Sequence, residues 1–217
     1  MEILPSLISS DLLNLQNTIK ILDPYCNGYH IDIMDDHFVP NLTWGAMFAN
    51  TIAKATKLPL HIHLMVDNPV VWFERLKIRS IDTFVFHIEA VNSESEIKNI
   101  IKRVKDKNFQ VGIAVNPKTD IKLIFDYLSD LDHILVMSVE SGFSGQKFMP
   151  QVLEKVNFLI AKRSEFNLSI KIGMDGGIGK DNIAMIASKG VDQVGVASSI
   201  FFQDDYLKSL QELYKEF

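Results

Sequence analysis

Apolar residues along the chain follow two alternating rhythms. Short runs rich in β-branched residues recur at Glu2–Leu7, Tyr29–Met34, Leu60–Met65, Asp82–His87, Gln110–Val115, His133–Ser138, Ser169–Met174 and Asp192–Ala197, each of strand length and bounded by turn-forming residues. Between them the period lengthens to that of a helix. Ile97, Ile100, Ile101 and Val104 form an i, i+3, i+4, i+7 stripe behind the capping box Ser93-Glu-Ser-Glu96, and Val152, Leu153, Val156, Leu159 and Ile160 repeat the stripe. Asn68-Pro69 and Thr119-Asp120 read as helix starts, and Gly190 as a helix stop. Strands that alternate with helices need crossover connections and therefore pair in parallel. Eight such units close a (β/α)₈ TIM barrel, expected here as a single domain over residues 1–217, with an open doubly wound sheet as the alternative.

Composition narrows the function classes. A chain of 217 residues that is 47% hydrophobic and 23% charged can bury one large core. Its net charge of −5 argues against nucleic acid as a partner, so an anionic ligand would need a favourable pocket rather than a basic surface. The only cysteine is Cys26; a reducing, cytoplasmic setting is expected. No apolar run reaches the length of a membrane span, and the first residues lack the pattern of a signal peptide, so no membrane role is expected.

Barrel enzymes place their sites at the C-terminal ends of the strands. In Tyr29-His-Ile-Asp-Ile-Met34 the two-residue period puts His30, Asp32 and Met34 on one side, and Ile31 and Ile33 on the other. If the isoleucines face the helices, His30 and Asp32 point into the barrel. Leu60-His-Ile-His-Leu-Met65 repeats the arrangement with His61, His63 and Met65, and the seventh strand runs into Asp175-Gly176-Gly177. Taken singly, a strand histidine is more often a hydrogen-bonded core group, and an aspartate after a strand more often a cap. Together, two carboxylates and two or three imidazoles inside one barrel would be costly to bury unless paired or bound to a metal. Imidazole and carboxylate ligands suit zinc first, with Fe²⁺, Mn²⁺ or Co²⁺ as alternatives.

The segments Pro5-Ser-Leu-Ile-Ser-Ser-Asp11, His30-Ile-Asp-Ile-Met-Asp-Asp-His-Phe-Val-Pro-Asn41, His63-Leu-Met-Val66, Phe86-His-Ile-Glu-Ala90, Gly142-Phe-Ser-Gly-Gln-Lys-Phe148 and Asp175-Gly-Gly177 resemble the ribulose-phosphate 3-epimerase family in order and spacing, over nearly the whole chain. The resemblance implies a ribulose-phosphate-binding barrel that interconverts D-ribulose 5-phosphate and D-xylulose 5-phosphate in the pentose phosphate pathway. It implies one divalent metal held by His30, Asp32, His63 and Asp175, with Asp32 and Asp175 exchanging protons with the substrate. Two carboxylates suit such chemistry, because inverting a carbon beside a ketone removes a proton from one face and returns one to the other. Met34, Met65 and Met137 are implied to cap the enediolate, although ordinary core packing would also explain them. Ser6 and His63 join the substrate-binding set. Gly142, Phe143, Ser144, Gly145, Gly176, Gly177, Ala197 and Ser198 are expected to receive the phosphate through backbone N–H groups, against the simpler reading that these glycines only make tight turns. Relatives form dimers or hexamers, so a homo-oligomer is expected. His37, His61, His87 and His133 are left to structural or supporting roles, with His87 nearest the site.

The chain also departs from its relatives. Glu140-Ser-Gly-Phe-Ser-Gly-Gln146 stands where the family usually reads Asn-Pro-Gly-Phe-Gly-Gly-Gln; Ala197 replaces a usual glycine, and Gly173 a usual glutamate. Glu140 is expected to add negative charge near the phosphate loop, and Ser144 and Ala197 to add bulk there, giving a weaker phosphate site or a different sugar phosphate. Pro5-Ser-Leu and His30-Ile-Asp-Ile-Met also resemble the allulose-6-phosphate 3-epimerase branch. Of the other classes, a non-catalytic sugar-phosphate-binding barrel would not need both aspartates, and an aldose–ketose isomerase would need only one.

Overall fold

The computed structural model describes residues 1–217. Its eight strands are β1 (Glu2–Pro5), β2 (Tyr29–Met34), β3 (Leu60–Met65), β4 (Thr83–His87), β5 (Gln110–Val115), β6 (His133–Met137), β7 (Lys171–Asp175) and β8 (Gln193–Val196). All pair in parallel, in the order β1-β8-β7-β6-β5-β4-β3-β2. That order follows the chain around a ring, which an open doubly wound sheet does not, and the remaining seam is bridged between Ser6 and His30. The structure is therefore a nearly closed (β/α)₈ barrel.

The helices are α1 (Leu15–Leu22), α2 (Ala46–Ala55), α3 (Pro69–Arg75), α4 (Glu94–Asp106), α5 (Leu153–Glu165), α6 (Ile183–Ser188), α7 (Ser198–Phe201) and α8 (Tyr206–Tyr214). Their starts follow the expected chemistry. Asn68 accepts from the Val71 amide ahead of Pro69, and Ser93 accepts from the Glu96 amide. Gly190, at φ +84°, follows α6. Asp120 caps its segment as expected, but residues Ile121–Asp130 wind as 3₁₀ turns rather than as an α-helix. Of the buried positions there, Ile121, Ile124 and Tyr127 recur every three residues, the period of a 3₁₀ turn, with Leu128 beside them. Most strand bounds shift by one or two residues, and two of these shifts bear on the site. β1 stops at Pro5 because Leu7–Ser9 turns into a short 3₁₀ segment, and β7 extends to Asp175, which pairs with Met137 and Gly195.

The two faces of the sheet differ in kind. Outward residues such as Ile31, Ile33, Ile62, Leu64, Phe84 and Phe86 join the helices in one cluster of 51 buried apolar residues. The inward face carries His30, Asp32, His61, His63, His87 and His133, all buried, around the apolar group Val85, Ala114, Leu135 and Met137.

Candidate metal and proton-transfer site

Parallel register brings the inward residues of β2 and β3 side by side, with His30 opposite His61, Asp32 opposite His63 and Met34 opposite Met65. The end of β2 is pinned by Thr43, whose hydroxyl donates to the Asp32 carbonyl at 2.7 Å and accepts from the Met34 amide at 2.9 Å. Asp175 enters from β7 beside Gly195 of β8. A Cβ on Gly195 would stand 2.8 Å from the Asp175 Oδ1, so the glycine makes room for the carboxylate.

One atom from each of His30, Asp32, His63 and Asp175 lies within 4.8 Å of the others. Asp32 Oδ1 is 3.1 Å from both His30 Nε2 and His63 Nδ1, and those two nitrogens are 3.3 Å apart. Asp175 Oδ2 is 3.6 Å from His30 Nε2 and 3.8 Å from His63 Nδ1. A tetrahedral ion with bonds of about 2.0–2.1 Å sets its ligand atoms about 3.3 Å apart. The spacing and the nitrogen–oxygen donor set both fit a divalent ion; they do not by themselves identify which.

The two carboxyls are driven apart electrostatically. Burial opposes ionisation of Asp32, but the charge of His30 and hydrogen bonds from His30 and His63 outweigh it and hold the carboxyl below the usual range. A further bond reaches its second oxygen, where the Ser6 hydroxyl donates to Oδ2 at 2.5 Å. Burial raises Asp175 to about 7, with His30 opposing and the negative charge of Asp32 reinforcing the rise. In His30, burial is overcome by Asp32 and Asp175, which lift it to about 9, whereas burial lowers His63 to about 4. Burial also lowers His61 and, to about 3, His133; both stay neutral.

Above this group opens a cleft of about 490 Å³, mouth included, and it gathers nearly all the residues singled out in the sequence. Ser6, Asp32 and Asp175 lie at its floor with Met34, Met65 and Met137. Gly142, Phe143, Ser144 and Gly145 line it from the loop after β6, Gly176 and Gly177 from the loop after β7, and Ala197 and Ser198 after β8. His30 and His63 lie beneath that surface, fully buried. The loops after β6 and β7 meet backbone to backbone: a Cβ on Gly177 would stand 2.5 Å from the Phe148 nitrogen and 2.8 Å from the Gln146 oxygen.

Glu140 pairs with Lys118 at 2.8 Å, half-exposed and not among the residues lining the cleft. Ser144 does line the cleft, and its hydroxyl meets that of Ser9 at 2.8 Å across the mouth. Ala197 sits at φ −107°, which does not call for glycine's left-handed freedom. Of the remaining histidines, His37 stays at the surface, bonded to Asp35, while His87 touches His63, with Nε2 to Nε2 at 2.8 Å. The sequence reading passed over Gly195, Thr43 and Ser9, and did not separate Glu89 from its motif. Gly195 had a usable signal, since the two-residue period of β8 points it inward. Thr43 acts from a loop and Ser9 from the short 3₁₀ segment after β1, where no strand period applies.

A sequence profile described as "Ribulose-phosphate 3 epimerase family" matches residues 2–202. The chain is 39% identical over 204 residues to the cytoplasmic isoform of ribulose-phosphate 3-epimerase from Oryza sativa subsp. japonica, covering 92% of this chain and 87% of that protein. It is 36% identical over 209 residues to ribulose-phosphate 3-epimerase from Methanocaldococcus jannaschii, covering 96% and 87%. Among solved structures, KGPDC from Streptococcus mutans in complex with D-R5P superposes with a TM-score of 0.74 at 11% identity over 99% of this chain and 96% of that one. That likeness speaks for the barrel alone.

Proposed function

The chain belongs to the ribulose-phosphate 3-epimerase family, and from that premise we propose that it interconverts D-ribulose 5-phosphate and D-xylulose 5-phosphate by proton transfer between C3 and the pair Asp32 and Asp175. The observation that carries this reading is the pair itself. Two carboxyls from β2 and β7 share one cleft, which is how one site supplies a base and an acid together. Asp32, held by Ser6, takes the C3 proton from one face. Asp175 returns a proton on the other, and the roles exchange in the reverse direction.

His30, Asp32, His63 and Asp175 would hold the divalent ion, zinc by ligand chemistry, and its charge would stabilise an enediolate that a carboxylate alone could not generate. Met34, Met65 and Met137 close the floor with polarizable apolar surface and keep water from the carbanionic carbon. The glycine loops after β6 and β7, with Ala197 and Ser198, receive the phosphate through backbone N–H groups. The lone Cys26 and the rice relative's name support a cytoplasmic setting.

The test is solvent-deuterium incorporation. Zinc- or manganese-loaded protein in D₂O should label C3 of ribulose 5-phosphate and yield xylulose 5-phosphate by NMR. Faster labelling of allulose 6-phosphate would move the substrate to the hexulose branch. Absence of label with both sugars would sink the epimerase reading.

A further inference from the structure

The two histidines at the centre of the site are backed by hydrogen-bond chains of different chemistry. A neutral imidazole that offers one nitrogen to an ion carries its proton on the other. His63 offers Nδ1, so its Nε2–H donates to His87 Nε2 at 2.8 Å, and the His87 Nδ1–H donates to Glu89 Oε2 at 3.0 Å. Glu89 also accepts the Asn116 amide at 2.8 Å. This chain ends on a fixed carboxylate.

His30 offers Nε2, and its Nδ1 lies 3.1 Å from His61 Nδ1; His61 Nε2 in turn lies 3.2 Å from His133 Nδ1. With the His30 proton on Nδ1, only one direction is available. His30 donates to His61 and His61 donates to His133, whose ring ends beside the Gln193 side chain rather than on a carboxylate. His133 fits only because of what faces it: a Cβ on Gly173 would stand 2.6 Å from His133 Cε1 and 2.8 Å from Nε2. The glycine that departs from the family's usual glutamate is thus the complement of this histidine.

We infer that His61 and His133 are positioning residues for His30, a one-way imidazole chain that fixes its tautomer and ring plane for the ion, with Gly173 providing the space that chain needs. The inference rests on the metal reading of the preceding section. It also predicts unequal ligands, since a carboxylate-terminated chain strengthens His63 as a donor and a neutral chain leaves His30 the weaker one.

The experiment measures Zn²⁺ affinity by competition with a chromophoric chelator, together with ¹⁵N NMR of the histidine side chains in the zinc-loaded protein. His61→Leu, which keeps bulk but removes the acceptor, should weaken zinc binding by about 10–100-fold. His61→Asn, which restores an acceptor oxygen, should recover most of that loss; a role in packing alone would not distinguish the two. Gly173→Ala should weaken binding by displacing His133, and should add little in the His61→Leu background. In the wild-type spectrum, which needs no variant to fold, His30 should be protonated on Nδ1 and His61 on Nε2. Unchanged affinity in His61→Leu, or a His30 protonated on Nε2, overturns this inference and leaves the metal site standing. Failure of the wild-type protein to bind zinc, manganese, iron or cobalt overturns both.

Discussion

The outer and inner faces of the same sheet do opposite work. On β2 and β3, Ile31, Ile33, Ile62 and Leu64 face the helices within a continuous apolar core, while their alternating neighbours His30, Asp32, His61 and His63 converge on one another inside the barrel. The outer face gains free energy from every group it buries. The inner face spends some of that gain by burying imidazoles and carboxyls that are compensated by one another, by Ser6 and by Glu89. Stability and activity should therefore separate by face. Phe84 is fully buried on the outer face against Phe73, and Phe84→Ala should lower unfolding free energy by about 3–5 kcal/mol while the surviving folded fraction keeps its turnover. Asp175→Asn should do the reverse, cutting epimerisation by about 10²–10⁴-fold without lowering the thermal midpoint of the metal-free protein. Urea denaturation and a coupled assay on both variants check the crossing; a Phe84 variant that loses turnover per folded molecule would erase the distinction.

A second separation lies in pH. A carboxyl raised from 3.8 to about 7 on folding keeps in the native state a proton that the unfolded chain has already released. Its contribution is full below pH 3.8 and is lost as pH rises through 7. His30, raised from 6.5 to about 9, carries its loss onward from 6.5 to 9. Asp32 is held below its ordinary value, so its contribution disappears only in acid, as pH falls below about 4. Burial acts the other way on His61, His63 and His133, whose lowered values add stability as pH rises to 6.5. Metal-free protein should thus be most stable near pH 6.5 and weaken from there toward pH 9, by on the order of 1–4 kcal/mol. Asp175→Asn should steepen the rise below pH 6.5, because the opposing carboxyl is gone. Bound metal should oppose the decline above it, because the ion takes deprotonated ligands and binds more tightly as pH rises. Urea midpoints at pH 5, 6.5 and 9, with and without chelator, give the comparison. An Asp175→Asn variant whose gain in stability from pH 5 to 6.5 is no steeper than that of the wild type would contradict the buried-acid account.

The outer face was legible in the sequence because burial follows period. Alternating isoleucines on β2 and the stripe Ile97, Ile100, Ile101, Val104 report which side of an element meets the core. Three of the four central residues, His30, Asp32 and His63, were legible for the same reason, with the strand period pointing them inward, while Asp175 stood out as an acid directly after its strand. What periodicity cannot carry is contact between distant segments. The Ser6–Asp32 bond crosses the seam of the barrel, and His61 meets His133 across 72 positions of sequence. Gly173 was visible as a departure, but its reason is the volume of His133, which only the register of β6 against β7 supplies. Glu140 was visible as a charge, but its partner Lys118 was not, because only the fold brings the two together. At Ile121–Asp130 the cap was legible, but not that the turns behind it wind as 3₁₀.

The smallest effect is expected at the mouth of the cleft, where the two faces end and loops take over. Ser144 occupies a position usually held by glycine in the family and ties the loop after β6 to Ser9 by one exposed hydrogen bond. An exposed bond of this kind contributes about 1 kcal/mol or less, and exposed substitutions generally move stability by less than about 0.5 kcal/mol. Ser144→Gly should therefore leave the urea midpoint nearly unchanged. The loop would lose one tether and gain backbone freedom, so ordering it around a phosphate would cost more. KM for the ketose phosphate should rise by up to about fivefold, the equivalent of one such bond, with kcat retained because neither Asp32 nor Asp175 touches the loop's serine. Ser9→Ala removes the same bond without the added backbone freedom and should give a smaller rise in the same direction. A fall in KM for Ser144→Gly would mean instead that the serine's bulk, rather than its bond to Ser9, governs how the loop receives the phosphate.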